Sequence, residues 1–267
     1  MLDNIKSFIK KRINGFGYEI HNSAQFSSSD DPIFILSKLL FIDKVFCIID
    51  GGASIGNTSV RLSNLFPKAK VFSIDPYPPF FNALTRVSKL YPNISAHNTA
   101  LSNYNGRSTL NVNSSEGTNS ILNINEDNSK VFGDLLAKKD DIEVVCTTLD
   151  SFTKDHSIDY IDILKLDLQG YELKALEGAT KILQKQKVGI ILCEIIFEDI
   201  YEDQTQPYDL INFLIKEHSF KFFNFYQNNY HQGRLLQTDV ILYHESLVNI
   251  IHNNCQHSFH SYSNLLV

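Results

Sequence analysis

The feature that most constrains this chain is an apolar run, Val45-Phe46-Cys47-Ile48-Ile49, that ends directly in Asp50-Gly51-Gly52-Ala53-Ser54-Ile55-Gly56-Asn57-Thr58. A continuous apolar run of that length reads as a strand buried on both faces, which is the habit of parallel sheets. The glycines then let the backbone turn tightly into a following helix and let a ligand approach closely. A second buried strand, Val71–Ile74, ends in Asp75-Pro76. Further apolar runs at 161–166 and 188–196 alternate with helical stretches near 79–90, 171–184 and 208–217. Such alternation predicts an α/β domain, a mainly parallel sheet with helices on both faces. The two last strands, near 220–226 and 238–243, have a polar loop and no helix between them, so one of them runs antiparallel. Upstream, Asp31-Pro32 reads as an N-cap followed by proline at the first helical position, with the helix running to about Ile42.

An acid at the end of the second strand is placed to accept hydrogen bonds from the ribose hydroxyls of a nucleoside cofactor. Asp75 is that acid. The glycines read Gly52-x-x-x-Gly56 rather than G-x-G-x-x-G, and Asp50 stands just before them. A carboxylate there repels a pyrophosphate but suits the ammonium of a methionine moiety, directly or through water. That charge argument favours S-adenosylmethionine over a dinucleotide. The expected cofactor contacts are Asp50, Gly51, Gly52, Ala53, Ser54, Gly56, Asn57 and Thr58 in the loop. Asp75, Pro76 and Tyr77 follow the second strand, and Ala100, Leu101 and Asp167 complete the set.

A second cluster closes the strand over 161–166, Leu164-Lys165-Leu166-Asp167-Leu168-Gln169-Gly170-Tyr171-Glu172. Strand carboxyl ends line the crevice of a doubly wound sheet, and Lys165 and Asp167 share one side by alternation. Glu194 lies near the end of the next strand. Charges among apolar strand residues need partners. A Lys165–Glu194 ion pair that orders the site and a direct catalytic role for Asp167, Lys165 and Glu194 are both consistent with the sequence. Glu172 sits where it can favour a helix N-terminus. His97 and His231 are general-base candidates only as residue types, since neither sits in a motif.

In series, these blocks resemble the FkbM family of methyltransferases. Asp50–Gly56 is similar to that family's D-x-G-A-x-x-G. Asp75-Pro76-Tyr77-Pro78 with Phe81 resembles its E-P-N-P-x-x-F. Thr147-Thr148-Leu149-Asp150 resembles T-L-D, and Lys165–Glu172 resembles K-I-D-x-E-G-x-E. Cys193-Glu194-Ile195 and Thr238-Asp239-Val240 match its later strands, so the likeness covers about residues 45–243. Gln169 departs from it, standing where the family has Glu. The resemblance implies a Rossmann-like class I methyltransferase fold with a seven-stranded sheet. It also implies S-adenosylmethionine as cofactor and O-methylation, often of sugars in glycans or of secondary metabolites.

Composition sets the remaining bounds. A net charge of −6 over 267 residues disfavours sequence-blind nucleic-acid binding. The four cysteines form no C-x-x-C pair and no zinc spacing, which suits reduced thiols in a cytoplasmic protein. No signal-peptide pattern opens the chain. Residues 2–13 place Leu2, Ile5, Ile9 and Ile13 on one helical stripe with Lys6, Lys10, Lys11 and Arg12 around the rest. Such a helix packs on the domain or lies on a membrane surface. The expected organisation is an N-terminal helical segment (1–44), a methyltransferase domain (45–245) and a loose polar tail (246–267). Within the domain, a polar irregular insertion (113–141) serves as a lid. The expected reaction is methyl transfer to a hydroxyl of a sugar in a glycan or glycolipid, with no metal ligand set. The alternatives are a small metabolite or peptide acceptor, a nucleotide-dependent oxidoreductase, and a silent cofactor-binding protein.

Overall fold

The computed structural model describes residues 30–125 and 133–259, with side chains to 255. The expected helix at 2–13 and loop at 14–29 lie outside these residues. In chain order the elements are α1 (Pro32–Leu39), β1 (Cys47–Gly51), α2 (Asn57–Leu65), β2 (Lys70–Ile74), α3 (Pro78–Leu90) and β3 (Ile94–His97). Then come β4 (Ala100–Leu101), β5 (Gly106–Asn113), β6 (Lys138–Thr147), α4 (Leu149–Asp155) and β7 (Ile161–Leu166). The chain continues through α5 (Glu172–Glu177), α6 (Thr180–Gln184), β8 (Val188–Ile196), α7 (Pro207–Asn212), β9 (Phe220–His231), β10 (Arg234–His244) and α8 (Val248–Phe259).

Seven strands form one sheet in the order β3-β2-β1-β7-β8-β10-β9. The first five are parallel, and β10 pairs antiparallel with both β8 and β9. This is the Rossmann-like doubly wound arrangement expected from the alternation of strands and helices. Both faces are buried, which is why the strands read as continuous apolar runs. Ile48, Ile163 and Ile190 pack on one face with Leu36, Leu62 and Phe66. Their strand neighbours Ile49, Leu164 and Ile191 pack on the other with Leu176 and Leu183.

Local chemistry sets the element ends. Asp31 Oδ1 accepts from the Ile33 amide at 3.1 Å, and Pro32 opens α1. Gly56, at φ +92°, lets the chain leave the loop and enter α2. The helix expected over 171–184 is broken into α5 and α6 at Gly178. A Cβ on Gly178 would sit 2.1 Å from the Ser102 carbonyl oxygen, so this close approach takes the place of a continuous helix. α7 continues into a wider π turn over Phe213–Glu217.

Three other expectations change. A second, three-stranded sheet, β4-β6-β5, uses the end of the expected irregular insertion, because β6 already begins at Lys138. Strands β9 and β10 are longer than expected and meet at a turn over Gln232 and Gly233, both at positive φ, instead of a polar loop. The expected loose tail holds helix α8, whose Ile251 is buried and whose Asn254 donates to the Leu39 carbonyl at 2.9 Å.

Candidate active site

The carboxyl ends of β1, β2 and β7 come together over a cavity of about 230 Å³. Its floor is the loop after β1. Gly52 sits at φ +70°, and a Cβ there would lie 1.8 Å from the Asp167 carbonyl oxygen. Only glycine permits the loop to press this closely on the turn after β7. The Gly52 and Ala53 amides both donate to the Ile74 carbonyl at 3.0 Å, which ties the loop to the end of β2.

Asp75 stands at that end. Its Oδ2 accepts from the Ser54 amide and its Oδ1 from the Tyr77 amide, each at 2.9 Å. These bonds aim the carboxylate at the cavity and leave each oxygen further acceptor capacity. Burial raises its pKa to about 6, against the opposing pull of the two amides and of Lys165. Ala100, Leu101, Leu110, Tyr77 and Phe80 give the cavity an apolar side. A short turn supplies the opposite wall through Glu116, Gly117, Asn119, Ser120 and Ile121. Tyr77 reaches across to it, its hydroxyl donating to Glu116 Oε1 at 3.0 Å. This turn belongs to the expected lid. Residues 126–132 of that lid lie outside the described residues.

The acidic end of the cavity is built from β7 and β8. Asp50 and Lys165 are register partners on β1 and β7. Lys165 Nζ lies 3.3 Å from Asp50 Oδ1 and 3.4 Å from Asp167 Oδ2, and donates to the Gly52 carbonyl at 3.1 Å. Burial alone lowers the lysine pKa, but Asp167 and Asp50 more than reverse this and hold the ammonium above its ordinary range. The partner of Lys165 is therefore the Asp50–Asp167 pair, not Glu194 as one sequence reading held. Glu194 instead accepts from the Gln169 side-chain amide at 2.9 Å and from the Gln237 amide at 3.1 Å. Burial, then the neighbouring Asp167, raises its pKa well above the carboxylate range. Asp239, its cross-strand partner, is raised to about 7, first by burial and then by Asp167.

Gln169 joins these groups. Its Nε2 donates to Asp167 Oδ1 and to Glu194 Oε2, both at 2.9 Å, while its Oε1 accepts from the Tyr201 hydroxyl at 3.1 Å. Two carboxylates need two donors, and an amide supplies them without adding charge. The residue adopts φ +54°, and the tight turn is closed by Glu172, whose Oε1 accepts from the Leu168 amide at 2.7 Å and the Gly170 amide at 3.2 Å. Glu172 is buried, and that burial lifts its pKa to about 7.

Of the residues expected at the cofactor, Gly52, Ser54, Asp75, Pro76, Tyr77, Ala100, Leu101 and Asp167 line the cavity. Asp50, Gly51, Ala53, Gly56, Asn57 and Thr58 do not. Asp50 is fully buried, and its Oδ2 accepts from the Ser59 hydroxyl at 2.6 Å. It therefore balances Lys165 beneath the loop, and the carboxylate that meets the cavity at this end is Asp167, with a side chain 36% exposed. Of the three catalytic candidates, Asp167 alone lines the cavity, with Lys165 and Glu194 behind it. His97 stacks on Phe72 and meets Phe152 and His156 edge-on, and burial lowers its pKa to about 4. Asp150, part of the T-L-D-like segment, has a structural task, accepting from the Lys181 and Ile182 amides at 2.9 Å. The wall at 116–121 falls within the insertion expected as a lid, whereas Tyr201 and Gln237 are marked by no motif in the sequence.

An acid that can take a ribose, an apolar slot for a purine, a loop that only glycine can form and an acid at the far end define a nucleoside-cofactor site in a doubly wound sheet. Comparison with known proteins gives the family. The methyltransferase FkbM domain matches residues 50–222, and the chain belongs to that family. Its cofactor is S-adenosylmethionine, which the residues around the cavity fit. Methyltransferase sdnD of Sordaria araneosa is 25% identical over 154 residues, 49% of this chain and 59% of that protein. The match thus spans less than two thirds of that relative's length. Among solved structures, an rRNA methylase from Streptococcus thermophilus aligns with TM-score 0.46 and 15% identity over 85% of this chain and 99% of its own. M. capricolum TrmK in complex with S-adenosyl-homocysteine aligns with TM-score 0.45 and 13% identity, over 82% and 70% respectively.

Proposed function

We propose that the protein is an S-adenosylmethionine-dependent O-methyltransferase acting on a hydroxyl of a sugar in a glycan or glycolipid. The observation that carries this reading is the Asp167 carboxylate. It opens into the cavity beside the Gly52 loop while Lys165 and Gln169 fix both its oxygens. The cofactor supplies a methyl group made electrophilic by positive sulfur. Asp75 would hold the ribose, the Tyr77–Leu101 side the purine, and Asp167 and the loop backbone the methionine end. The chain's remaining task is to hold an acceptor oxygen in line and to take its proton. Asp167 serves both purposes, being oriented from two sides. Behind it, Glu194 is raised above the ordinary carboxylate range by burial and then by Asp167 itself, which disfavours a second full charge at this end. On the wall at 116–121 the exposed Glu116 carboxylate and the Asn119 side-chain amide nitrogen, unpartnered among the described residues, offer hydrogen-bonding groups suited to a polyhydroxyl ring, while the Ser120 hydroxyl is taken up by the Gln169 carbonyl and the Leu122 amide. The net charge of −6 favours an uncharged acceptor of this type over a nucleic acid. The four cysteines, all free thiols, favour a reducing, cytoplasmic compartment.

The test is S-adenosylhomocysteine formation with a panel of mono- and oligosaccharides, glycolipid headgroups, phenolic metabolites and short peptides. Turnover confined to sugars, and lost in Asp167→Asn even at cofactor concentrations that saturate the variant, supports the reading. Turnover confined to phenols or peptides refutes the sugar assignment. Cofactor binding without turnover on any acceptor moves the protein to the silent-binding class.

A further inference from the structure

The end of the sheet opposite the cavity carries a second surface. Strands β3, β2, β1, β7 and β8 run in one direction, so the segments that precede them share this end. Four large apolar side chains stand out there, with Phe41 52%, Ile42 41%, Phe46 56% and Leu90 76% exposed. They lie on adjacent segments. The Lys70 amide donates to the Phe46 carbonyl at 2.8 Å, and Asn93, just after Leu90, donates through its side chain to the Ala69 carbonyl at 3.0 Å. Exposed lysines interleave with them. Lys44 follows Phe41 and Ile42, Lys68 and Lys70 flank Ala69, and Lys185 and Lys187 precede β8. The Lys187 carbonyl accepts from the Ile161 amide at 2.9 Å, which sets it beside the start of β7. The acids at this end, Asp43, Asp155, Asp159, Asp162, Glu217 and Glu245, are outnumbered by the lysines, since Lys89, Lys154, Lys216 and Lys221 join those already named, Lys221 facing Glu245 at 4.0 Å. Asp43 already faces Lys68 at 4.0 Å, and Asp162 Oδ2 accepts from the Phe46 and Cys47 amides at 2.8 and 2.9 Å. In a chain of net charge −6, a cationic end is a segregation of charge.

Scattered exposed apolar residues need no partner, but a cluster of them rimmed by polar residues, here with lysines in excess, marks an interaction face. Aromatic and aliphatic side chains surrounded by lysines match the boundary between headgroups and acyl chains. There the apolar groups bury and the ammoniums reach lipid phosphates. A second copy of the chain is a poor occupant, since two such faces would set lysines against lysines. We propose that this end of the molecule docks on an anionic lipid bilayer through Phe41, Ile42, Phe46 and Leu90, with the interleaved lysines on lipid phosphates. The docked protein then turns the carboxyl ends of its strands, and the cavity, toward the aqueous side. This inference does not depend on the identity of the acceptor.

Cosedimentation of the full chain with vesicles tests it, using phosphatidylcholine alone and phosphatidylcholine mixed with phosphatidylglycerol. Binding is expected only with phosphatidylglycerol present, and it weakens as salt is raised. Phe46→Ser with Leu90→Ser, and separately Lys68→Glu with Lys70→Glu, should each weaken vesicle binding about tenfold or more. S-adenosylhomocysteine affinity should stay at the wild-type value in both, which certifies the fold. A third variant, Lys6→Glu with Lys10→Glu, reports on the N-terminal segment. Three results would overturn the proposal: no wild-type binding to phosphatidylglycerol vesicles at low salt, wild-type binding by both face variants, or loss confined to the N-terminal variant.

Discussion

Replacing Gln169 by glutamate is the most informative single change. The substitution keeps shape but removes both donors that satisfy Asp167 and Glu194 at 2.9 Å. It also sets a new acid against two existing ones. Hydrogen bonds to charged groups contribute about 1.5–3 kcal/mol each. A protonated glutamic acid at this position regains one of the two, because a carboxylic acid has one proton to give. At low pH the cost of Gln169→Glu is therefore one bond, about 2 kcal/mol. As pH rises the variant must either keep that proton or place like charges in contact, so the new group's folded-state pKa lies above the unfolded value of about 4.3. The folded form then binds more protons than the unfolded form, and stability relative to wild type falls as pH rises above about 4.3. The steepest possible fall is about 1.4 kcal/mol per pH unit. Urea denaturation at pH 5 and pH 8 reads the difference. The variant should lose about 2 kcal/mol more at the higher pH, whereas Gln169→Ala, which adds no charge, should lose a similar amount at both. An equal loss for Gln169→Glu at the two pH values, or a variant as stable as wild type at pH 8, would refute the proposed division of donors and charge.

Other expectations follow from the same geometry. Gly52→Ala should abolish cofactor binding and cost about 3 kcal/mol or more in denaturant unfolding. Its Cβ meets the Asp167 carbonyl at 1.8 Å, and its φ is +70°. Asp75 accepts hydrogen bonds as a carboxylate, and burial raises its pKa to about 6. Cofactor affinity measured calorimetrically should therefore fall as pH drops through about 6 and level off above it. Tyr201→Phe removes the hydroxyl whose single proton is shared between Gln169 Oε1 at 3.1 Å and the Thr118 carbonyl at 2.9 Å. It should cost about 1–2 kcal/mol of stability and raise the acceptor KM more than the cofactor Kd.

The parts legible in the sequence are those with local causes. Buried parallel strands announce themselves as Val45–Ile49 and Val188–Ile196 because both faces of the sheet are covered, and Gly52 and Gly56 mark the turn because only glycine relaxes there. Asp75 is legible because it follows a strand directly. The partner of Lys165 was not, since it depends on register: Asp50 faces Lys165 across β1 and β7, whereas Glu194 lies level with Asp167. The small β4-β6-β5 sheet was hidden because β6 opens with Lys138, Lys139, Asp140 and Asp141, all exposed, which reads as polar loop. Helix α8 was missed for a similar reason, a run of Asn and His with Ile251 as its one buried side chain among the described residues. The insertion that supplies the wall at 116–121 is legible as a lid but its contact residues are not, and Tyr201 reaches the site through tertiary packing, far from any motif.

The central claim is that the Gly52 loop, Asp75 and Asp167 hold S-adenosylmethionine. Calorimetric titration of the protein with S-adenosylmethionine and S-adenosylhomocysteine, beside Asp75→Ala of equal thermal stability, tests it most directly. The account predicts saturable binding of both ligands by the wild type and at least about a tenfold loss in the variant, the weight of one charge-assisted hydrogen bond or more. A folded wild type that binds neither ligand, or an Asp75→Ala variant that binds as tightly as wild type, would contradict it.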